Sequence, residues 1–132
     1  MIVLKSDQLC VEFQTLGGAL SSIKDKEGVE YLWQGDPTYW SGQAPVLFPI
    51  CGSVRNDTVL YDKEDGSQKE GKIPRHGLVR KKEFTLVEQT DNSVTFAIED
   101  DEEMYANYPY HFRLEITYTV TGKTIRTQYK IY

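Results

Sequence analysis

The stretch FRLEITYTV, residues 112–120, decides the fold because apolar and polar side chains alternate along its whole length. Its apolar members are Phe112, Leu114, Ile116, Tyr118 and Val120. Successive side chains of a strand point to opposite sides, so these residues would share one face. Such alternation is typical of an antiparallel sheet with one face on the core. We therefore expect a long strand here, a tight turn at residues 121–122 and a partner strand over residues 124–132.

A hairpin is predicted immediately before this pair of strands. Val94, Phe96 and Ile98 alternate strictly after a turn at residues 91–92, and they oppose an apolar segment at residues 84–87. No window of a dozen residues carries a helical stripe, so the acidic and aromatic residues between the two hairpins are expected to form a turn-rich link. The chain is therefore predicted to be all-β and mostly antiparallel.

Another hairpin is predicted near the start of the sequence. Residues 9–14 and 19–25 both have the pattern of strands, and Gly17 and Gly18 between them permit a bulge or a close backbone turn. A return strand is expected to begin at Glu30. This part of the chain would then add further antiparallel strands to the fold.

The middle of the sequence gives three expectations. The run VLFPI at residues 46–50 predicts a strand covered on both faces that bends or ends at Pro49. Residues 58–61 predict a short strand. The polar residues 62–72 that follow are expected to be a hairpin tip or a mobile loop.

An aromatic connector precedes the VLFPI run. Pro37 can open a single helical turn that places Tyr39 and Trp40 against the sheet. These two side chains and Trp33 could instead stack on the apolar face of a pyranose, but core packing is the expected role because most aromatic residues of this kind are anchors.

Composition limits the classes of function. The chain has 132 residues, enough for one domain over residues 1–132. Its 15 Lys and Arg residues against 20 Asp and Glu residues give a net charge of -5, which argues against a nucleic-acid binder. The basic run at residues 80–82 is interpreted as a solvated strand edge. No stretch reaches membrane-spanning length and none has the pattern of a signal peptide, so no membrane contact and a cytoplasmic location are expected. Cys10 and Cys51 lie in apolar contexts and are expected to be buried free thiols.

Polar residues follow the VLFPI run in an arrangement that suits a sugar. The sequence PVLFPICGSVRN, residues 45–56, ends on Arg55 and Asn56, and PRHG at residues 74–77 carries His76. Imidazole titrates near neutral pH and can donate to or accept from a sugar oxygen. Arg55 and the amide of Asn56 can hydrogen-bond hydroxyls, although an Asn after a strand is equally often a turn former. A lone His before Gly is by itself more often structural.

These motifs, with the Gly17-Gly18-Ala19 turn, resemble the aldose 1-epimerase (galactose mutarotase) family, most closely its LacX-like branch. The resemblance implies an antiparallel β-sandwich of the galactose mutarotase-like (supersandwich) type with sugar bound in a groove on one sheet. It also implies that Arg55 and His76 contact the sugar, with His76 near the reacting end, and that Asn56 belongs to the same motif. The resemblance covers these residues but only the first half of the family's length, so a truncated sandwich and an unpaired strand edge near Tyr132 are expected.

Mutarotation opens a cyclic hemiacetal, which requires a base at the anomeric hydroxyl and an acid at the ring oxygen. The resemblance implies that the family takes these groups from a second His and a Glu in its later half, and neither has a counterpart in this sequence. His111 matches that second His poorly and is expected to be a surface or sheet-face residue. No third ligand lies at metal-binding spacing from the two histidines, so no metal and no other cofactor are expected.

Three functional interpretations remain open from the sequence. The first is an aldose 1-epimerase-like isomerase acting on a hexose or a sugar phosphate. The second is a non-catalytic sugar-binding or regulatory module that lacks the acid and base. The third is an interaction β-sandwich whose polar residues are structural. Self-association through the exposed strand edge is a further expectation.

Overall fold

A computed structural model describes all 132 residues, Met1 to Tyr132. It contains nine strands, one α-helix and a single 3-10 turn at Arg55–Asp57. The elements are β1 Ile2–Lys5, β2 Leu9–Gln14, β3 Ala19–Asp25, β4 Thr58–Asp62, β5 Gln68–Lys72, β6 Thr85–Gln89, β7 Ser93–Glu99, α1 Glu102–Asn107, β8 Arg113–Thr121 and β9 Thr124–Ile131. None of its helices has the length and apolar character that a membrane crossing requires.

The strands form three antiparallel sheets. Strands β1, β2 and β3 pair in that order, β4 pairs with β5, and β6 to β9 form a four-stranded sheet in sequence order. The expected all-β antiparallel class is therefore confirmed. The predicted bounds of β2 and β3 agree with the structure, and the predicted 58–61 strand extends by one residue to Asp62.

The prediction that the apolar residues of β8 share one buried face is confirmed. Those residues are Leu114, Ile116, Tyr118 and Val120. Strand β7 is instead covered on both faces, since Thr95 and Ala97 are buried along with Val94, Phe96 and Ile98. The hydroxyls of Thr95 and Thr117 lie 2.9 Å apart and satisfy each other on the second face. Strand β7 is thus buried on both faces, and the face opposite the apolar core contains the polar residue Thr95.

The core joins the first sheet to the four-stranded sheet. The ring of Phe13 in β2 lies 4.9 Å from that of Tyr118 in β8 and 6.2 Å from that of Phe96 in β7. Burying a side chain of this size contributes about 1.5–3 kcal/mol. The Tyr118 hydroxyl donates to the carbonyl oxygen of Gly18 at 2.8 Å, and burial raises the pKa of Tyr118. Hydrophobic packing and one buried hydrogen bond therefore join the two sheets.

The link between β7 and β8 holds a helix, which corrects the expectation of a turn-rich connection. The Asp101 carboxylate caps α1 by accepting from the backbone N–H of Met104 at 2.8 Å. The Met104 side chain is buried against the core. With only six residues the helix is too short to show an apolar stripe, so its stability comes from the cap and from one buried anchor.

Two expected strands are absent. Residues 46–50 form only a single bridge, between Phe48 and Gly77, and Pro49 lacks the N–H that a continuing ladder would need. The return strand from Glu30 is reduced to one bridge with Lys24. At this bridge the Glu30 carboxylate accepts a hydrogen bond from the backbone N–H of Ile23 at 2.7 Å, a group that a paired strand would otherwise bond.

Other local expectations are also corrected. The polar segment after β4 is only partly a loop, because Gln68–Lys72 is strand β5. The basic run at residues 80–82 lies in the turn before β6 rather than on a strand edge. Both cysteines are free, as expected, but Cys51 is exposed and Cys10 is half-buried, because Cys51 follows the end of the apolar run in a bend.

The aromatic connector forms the expected helical turn, in which the backbone N–H of Trp40 donates to the carbonyl of Asp36 at 3.0 Å. Its aromatic side chains are nevertheless not core residues. Trp33, Tyr39 and Trp40 are 42%, 79% and 51% exposed. The Trp33 ring lies edge-on to that of Tyr39 at 6.1 Å, its indole N–H donates to the Trp40 carbonyl at 2.8 Å, and the Trp40 ring lies against Gly42.

Strand β9 forms one edge of the four-stranded sheet. Arg113 and Tyr132 exchange both backbone hydrogen bonds, so the even-numbered residues of β9 bond to β8 and the odd-numbered residues direct their N–H and C=O groups to the free edge. Tyr129 and Ile131, on the core-facing side of the strand, are 57% and 61% exposed. The expected open strand edge is therefore present.

Candidate functional site

The segment that carries His76 runs beside the segment that carries Arg55. At one end the backbone N–H of His76 donates to the carbonyl of Gly52 at 2.8 Å. At the other end the N–H of Ile73 donates to the carbonyl of Asp57 at 2.8 Å. The structure therefore brings together the two stretches of backbone that were selected from the sequence.

The contacts of the His76 imidazole indicate which ring nitrogen carries the proton in the neutral form. Its Nδ1 accepts the backbone N–H of Gly52 at 2.9 Å, so this nitrogen carries no proton. The proton of the neutral ring then lies on Nε2. Nε of Arg75 approaches Nε2 at 3.3 Å, but a protonated Nε2 cannot accept from it, and the shorter backbone contact decides the tautomer. His76 can therefore donate from Nε2 to an incoming ligand once the exposed Arg75 side chain moves aside.

Gly77 fixes the position of His76. It bridges to Phe48, and the backbone N–H of Leu78 donates to the Phe48 carbonyl at 2.7 Å. Gly77 has φ +89°, and a Cβ there would collide with the Phe48 carbonyl oxygen. Only glycine permits this approach, so the HG dipeptide of the motif positions the histidine against the end of the apolar run.

Unusual backbone conformations are concentrated in these two segments. Asn56, Asp57 and His76, with φ of 55°, 52° and 68°, are the three non-glycine residues of the chain with positive φ. Asn, Asp and His adopt this region more readily than other non-glycine residues, so the cost is modest. Clusters of such residues occur at functional sites, where the surroundings hold them in place. Asn56 therefore acts as a turn former, and this backbone role is compatible with a ligand role for its side chain.

Several polar groups of the site are free. The side chains of Arg55 and Asn56 are exposed and make no hydrogen bond within the chain. Arg75 is exposed as well and adds a second guanidinium beside the His76 ring. Sequence reasoning missed Arg75 as a site residue, although its position inside PRHG was the available signal. The two neighbouring segments therefore carry two exposed guanidinium groups, one exposed amide and one half-buried imidazole.

Five clefts of about 360–550 Å³ are present, and none of the five is lined by Arg55, Asn56 or His76. One of them is lined by Pro74 and Gly77, which flank the Arg75-His76 pair. No group of three or more His, Cys, Asp or Glu side chains has the arrangement of a metal site.

His111 is not part of this site. Its Nδ1 donates to the Asp100 carboxylate at 2.8 Å, and its ring stacks on Tyr105 with centroids 4.3 Å apart. The His111 side chain is 78% exposed, which confirms the expected surface role. The hydrogen bond from His111, together with that from the backbone N–H of Phe112, holds the pKa of Asp100 below its usual range.

Comparison with known proteins gives a consistent picture. The sequence model of the family described as aldose 1-epimerase matches residues 1–132. The chromosomal and plasmid forms of protein LacX from Lactococcus lactis subsp. lactis are 58% and 57% identical over 130 residues, which is 98% of this chain and 44% of each relative. The chain thus spans less than half the length of the curated relatives it matches.

Solved structures show the same relationship. A galactose mutarotase related enzyme from Lactobacillus acidophilus superimposes with a TM-score of 0.91 at 27% identity, over 98% of this chain and 42% of that one. A galactose mutarotase-like protein from Lactobacillus casei has a TM-score of 0.89 at 26% identity, over 99% and 43%. The fold is therefore that of galactose mutarotase-like proteins, and the chain belongs to the aldose 1-epimerase family.

Proposed function

We propose that this chain acts in aldose 1-epimerisation by binding and orienting an aldose through Arg55, Asn56 and His76. One observation carries the proposal. The hydrogen bond from Gly52 favours the His76 tautomer with its proton on Nε2, and that N–H can reach a sugar oxygen when the exposed Arg75 side chain, whose Nε lies 3.3 Å from Nε2, moves aside. Family membership supports an aldose as the ligand.

Each residue has a separate role in this proposal. The Nε2–H of His76 donates to a sugar oxygen near the reacting carbon and holds the hemiacetal in place for ring opening. The guanidinium of Arg55 donates to ring hydroxyls through its fork of N–H groups, and the amide of Asn56 adds one further hydrogen bond. Ring opening also needs an acid and a base, and the residues proposed here supply the binding and orienting part of that requirement.

A second candidate is a non-catalytic sugar-binding or regulatory module. The specific observation in its favour is the state of His111, the second histidine of the chain, which is bonded to Asp100 and stacked on Tyr105 away from the site. Under this candidate the same three residues bind sugar and no anomer is interconverted. A cytoplasmic location is part of both proposals, and two free cysteines are typical of a reducing compartment.

Titration calorimetry with glucose and galactose tests sugar binding. His76→Asn is the matched variant, because its Oδ1 can still accept from Gly52 and Asn tolerates positive φ, while the Nε2–H is lost. We expect Arg55→Ala to weaken binding roughly ten- to a hundredfold and His76→Asn roughly tenfold. Binding that is unchanged in both variants would exclude this site.

Polarimetry on freshly dissolved α-anomers then separates the two candidates. Acceleration of anomer equilibration that disappears in His76→Asn supports the epimerase role. Sugar binding without any acceleration supports the binding module. Absence of both binding and acceleration with either hexose would contradict both candidates and favour a purely structural role for these residues.

A further inference from the structure

A cleft of about 450 Å³ is bordered by the turn after β3 and by the turn between β8 and β9. Its lining includes Leu9 at the start of β2, Ile23 in β3 and Ile125 in β9. The cleft shares no residue with the proposed sugar site, and its volume falls in the range of small-molecule sites.

The floor of this cleft is apolar. Leu9, Ile23 and Ile125 are half-buried, and each packs against the hydrophobic core while another part of its side chain lines the cleft. The fold therefore leaves aliphatic surface of these three residues in contact with water. An apolar group bound there would remove that surface from water, which is favourable in proportion to the area covered.

Tyr31 forms an aromatic wall beside this floor. Its hydroxyl donates to Oδ2 of Asp25 at 3.0 Å. This hydrogen bond, together with the negative charge of Asp25, raises the pKa of Tyr31, so the hydroxyl keeps its proton and its partner. The side chain is 65% exposed and is held at its tip. It therefore offers its ring rather than its polar group to a ligand.

Both turns that border the cleft are braced within the chain. Oδ1 of Asp25 accepts the backbone N–H groups of Glu27 and Val29 at 2.9 and 3.0 Å. On the other side, the hydroxyl of Ser6 donates to the carbonyl of Gly122 at 2.7 Å. The two turns are thus in place before a ligand arrives, which reduces the entropy lost on binding.

Charges of both signs border the apolar floor. Lys26 and Glu27 lie in the turn after β3, and Lys123 lies in the turn between β8 and β9. All three are exposed, and their side chains make no hydrogen bond or ion pair within the chain. A simple anion in the cleft would lie beside Glu27, and a simple cation would lie beside the two lysines. A ligand that carries both an ammonium and a carboxylate can pair with both signs.

We propose that this cleft binds an apolar α-amino acid in its zwitterionic form. The apolar side chain of the ligand lies on the aliphatic floor beside the Tyr31 ring. Its carboxylate pairs with Lys26 and Lys123, and its ammonium pairs with Glu27. Because these pairs are exposed, each contributes modestly, and the apolar side chain of the ligand supplies most of the affinity.

Titration calorimetry of the whole chain with phenylalanine and leucine as free amino acids tests the proposal. We expect both to bind, and we expect no binding of free glycine, which has no apolar side chain. The compound 3-phenylpropanoate lacks the ammonium of phenylalanine, and phenethylamine lacks its carboxylate. Each should bind roughly three- to tenfold more weakly than phenylalanine, because each leaves one sign of charge in the cleft without a partner.

Matched variants separate the ring from the charges. Tyr31→Ala should weaken phenylalanine binding roughly fivefold, whereas Tyr31→Phe keeps the ring and should stay within about twofold. Glu27→Gln should weaken phenylalanine binding roughly three- to tenfold without weakening that of 3-phenylpropanoate. Glu64→Gln removes the same charge from another exposed turn and should leave both affinities unchanged.

Methyl NMR on the parent chain locates the ligand without requiring any variant to fold. With the isoleucine δ1-methyl groups labelled, phenylalanine should shift the signals of Ile23 and Ile125, which line the cleft. The signal of Ile73, buried in the segment that carries His76, should stay in place. Shifts confined to Ile73 would contradict the proposal.

The calorimetric titrations can overturn the proposal in other ways. If 3-phenylpropanoate or phenethylamine binds as tightly as phenylalanine, the cleft does not recognise a zwitterion. Phenylalanine binding that is lost in His76→Asn but kept in Tyr31→Ala would assign the ligand to the other site. If neither phenylalanine nor leucine binds, this proposal fails, and the titrations with glucose and galactose still decide the proposed function separately.

Discussion

The hydroxyl of Tyr118 in β8 donates to the carbonyl oxygen of Gly18, which lies 100 positions earlier in the chain, at 2.8 Å. Gly18 belongs to the turn between β2 and β3, whereas Tyr118 lies in the four-stranded sheet. The hydrogen bond therefore spans the core from one sheet to the other and fixes how they are aligned.

Tyr118→Phe removes this hydrogen bond and leaves the Gly18 carbonyl without its partner. We expect the free energy of unfolding to fall by about 1–2 kcal/mol, because a buried acceptor loses its donor while the ring packing is kept. Urea unfolding followed by circular dichroism measures the change. Tyr129→Phe is the control, since that ring is 57% exposed and its hydroxyl change should cost less than about 0.5 kcal/mol. Equal losses in the two variants would mean that the bond between the sheets contributes nothing.

Gly77→Ala should destabilise the protein far more than Gly66→Ala. Both glycines have positive φ, +89° and +85°, but a Cβ at Gly77 meets the Phe48 carbonyl whereas nothing lies within 4 Å at Gly66. We expect about 1–2 kcal/mol for the conformational cost alone at Gly66 and a clearly larger loss at Gly77. Thermal unfolding of both variants measures the difference. Similar melting temperatures would show that the Phe48 contact adjusts freely.

Acid should weaken the protein partly through Asp100. The hydrogen bond from His111 and that from the backbone N–H of Phe112 lower the pKa of Asp100 in the folded state. A carboxyl whose folded pKa is depressed stabilises the fold above its unfolded pKa of about 3.9, and this stability is lost as the pH falls through the folded pKa. We expect unfolding free energy, measured from pH 7 down to pH 2.5, to fall less steeply below pH 4 in Asp100→Asn. An unchanged slope would assign the acid sensitivity to other carboxylates.

The open edge of β9 should support self-association. Its odd-numbered residues direct N–H and C=O groups outward, and Tyr129 and Ile131 leave apolar surface beside them. We expect the sedimentation coefficient to rise with protein concentration in the micromolar range. Thr127→Pro removes an outward N–H without breaking a bond to β8, so it should abolish the rise while leaving the far-ultraviolet spectrum intact. A sedimentation coefficient independent of concentration in the parent chain would contradict this prediction.

Strands β2 and β8 could be predicted because their alternation of apolar and polar residues indicates which face is buried. Strand β3 was predicted from its place after the Gly17-Gly18 turn, since its burial pattern does not alternate. Strand pairing through one bridge leaves no such pattern, and for this reason Phe48 was assigned to a strand that does not exist. Helix α1 was missed because six residues cannot show a 3.6-residue period.

The candidate site was selected from residue types and family resemblance, and its internal geometry was beyond sequence reasoning. The acceptor role of Nδ1 in His76 depends on Gly52, 24 residues away, and no local rule predicts that contact. For the aromatic connector, by contrast, the sequence-based expectation was wrong. Trp33 and Trp40 were expected to pack in the core because aromatic residues of this kind are more often core or loop anchors than sugar platforms, but their loop is held to β3 by glutamine amides and they are partly exposed.

The outward N–H and C=O groups of β9 would pair with an added strand through main-chain hydrogen bonds, which do not depend on the identity of its side chains. A free strand edge selects by extended conformation and by register, so unrelated sequences can satisfy it equally well. Discrimination would then fall to the flanking side chains, with Arg126 and Lys130 on one face favouring acidic neighbours and Ile125 and Tyr129 on the other favouring apolar ones. A strand added at that edge would be selected first by its extended conformation and then by its side chains.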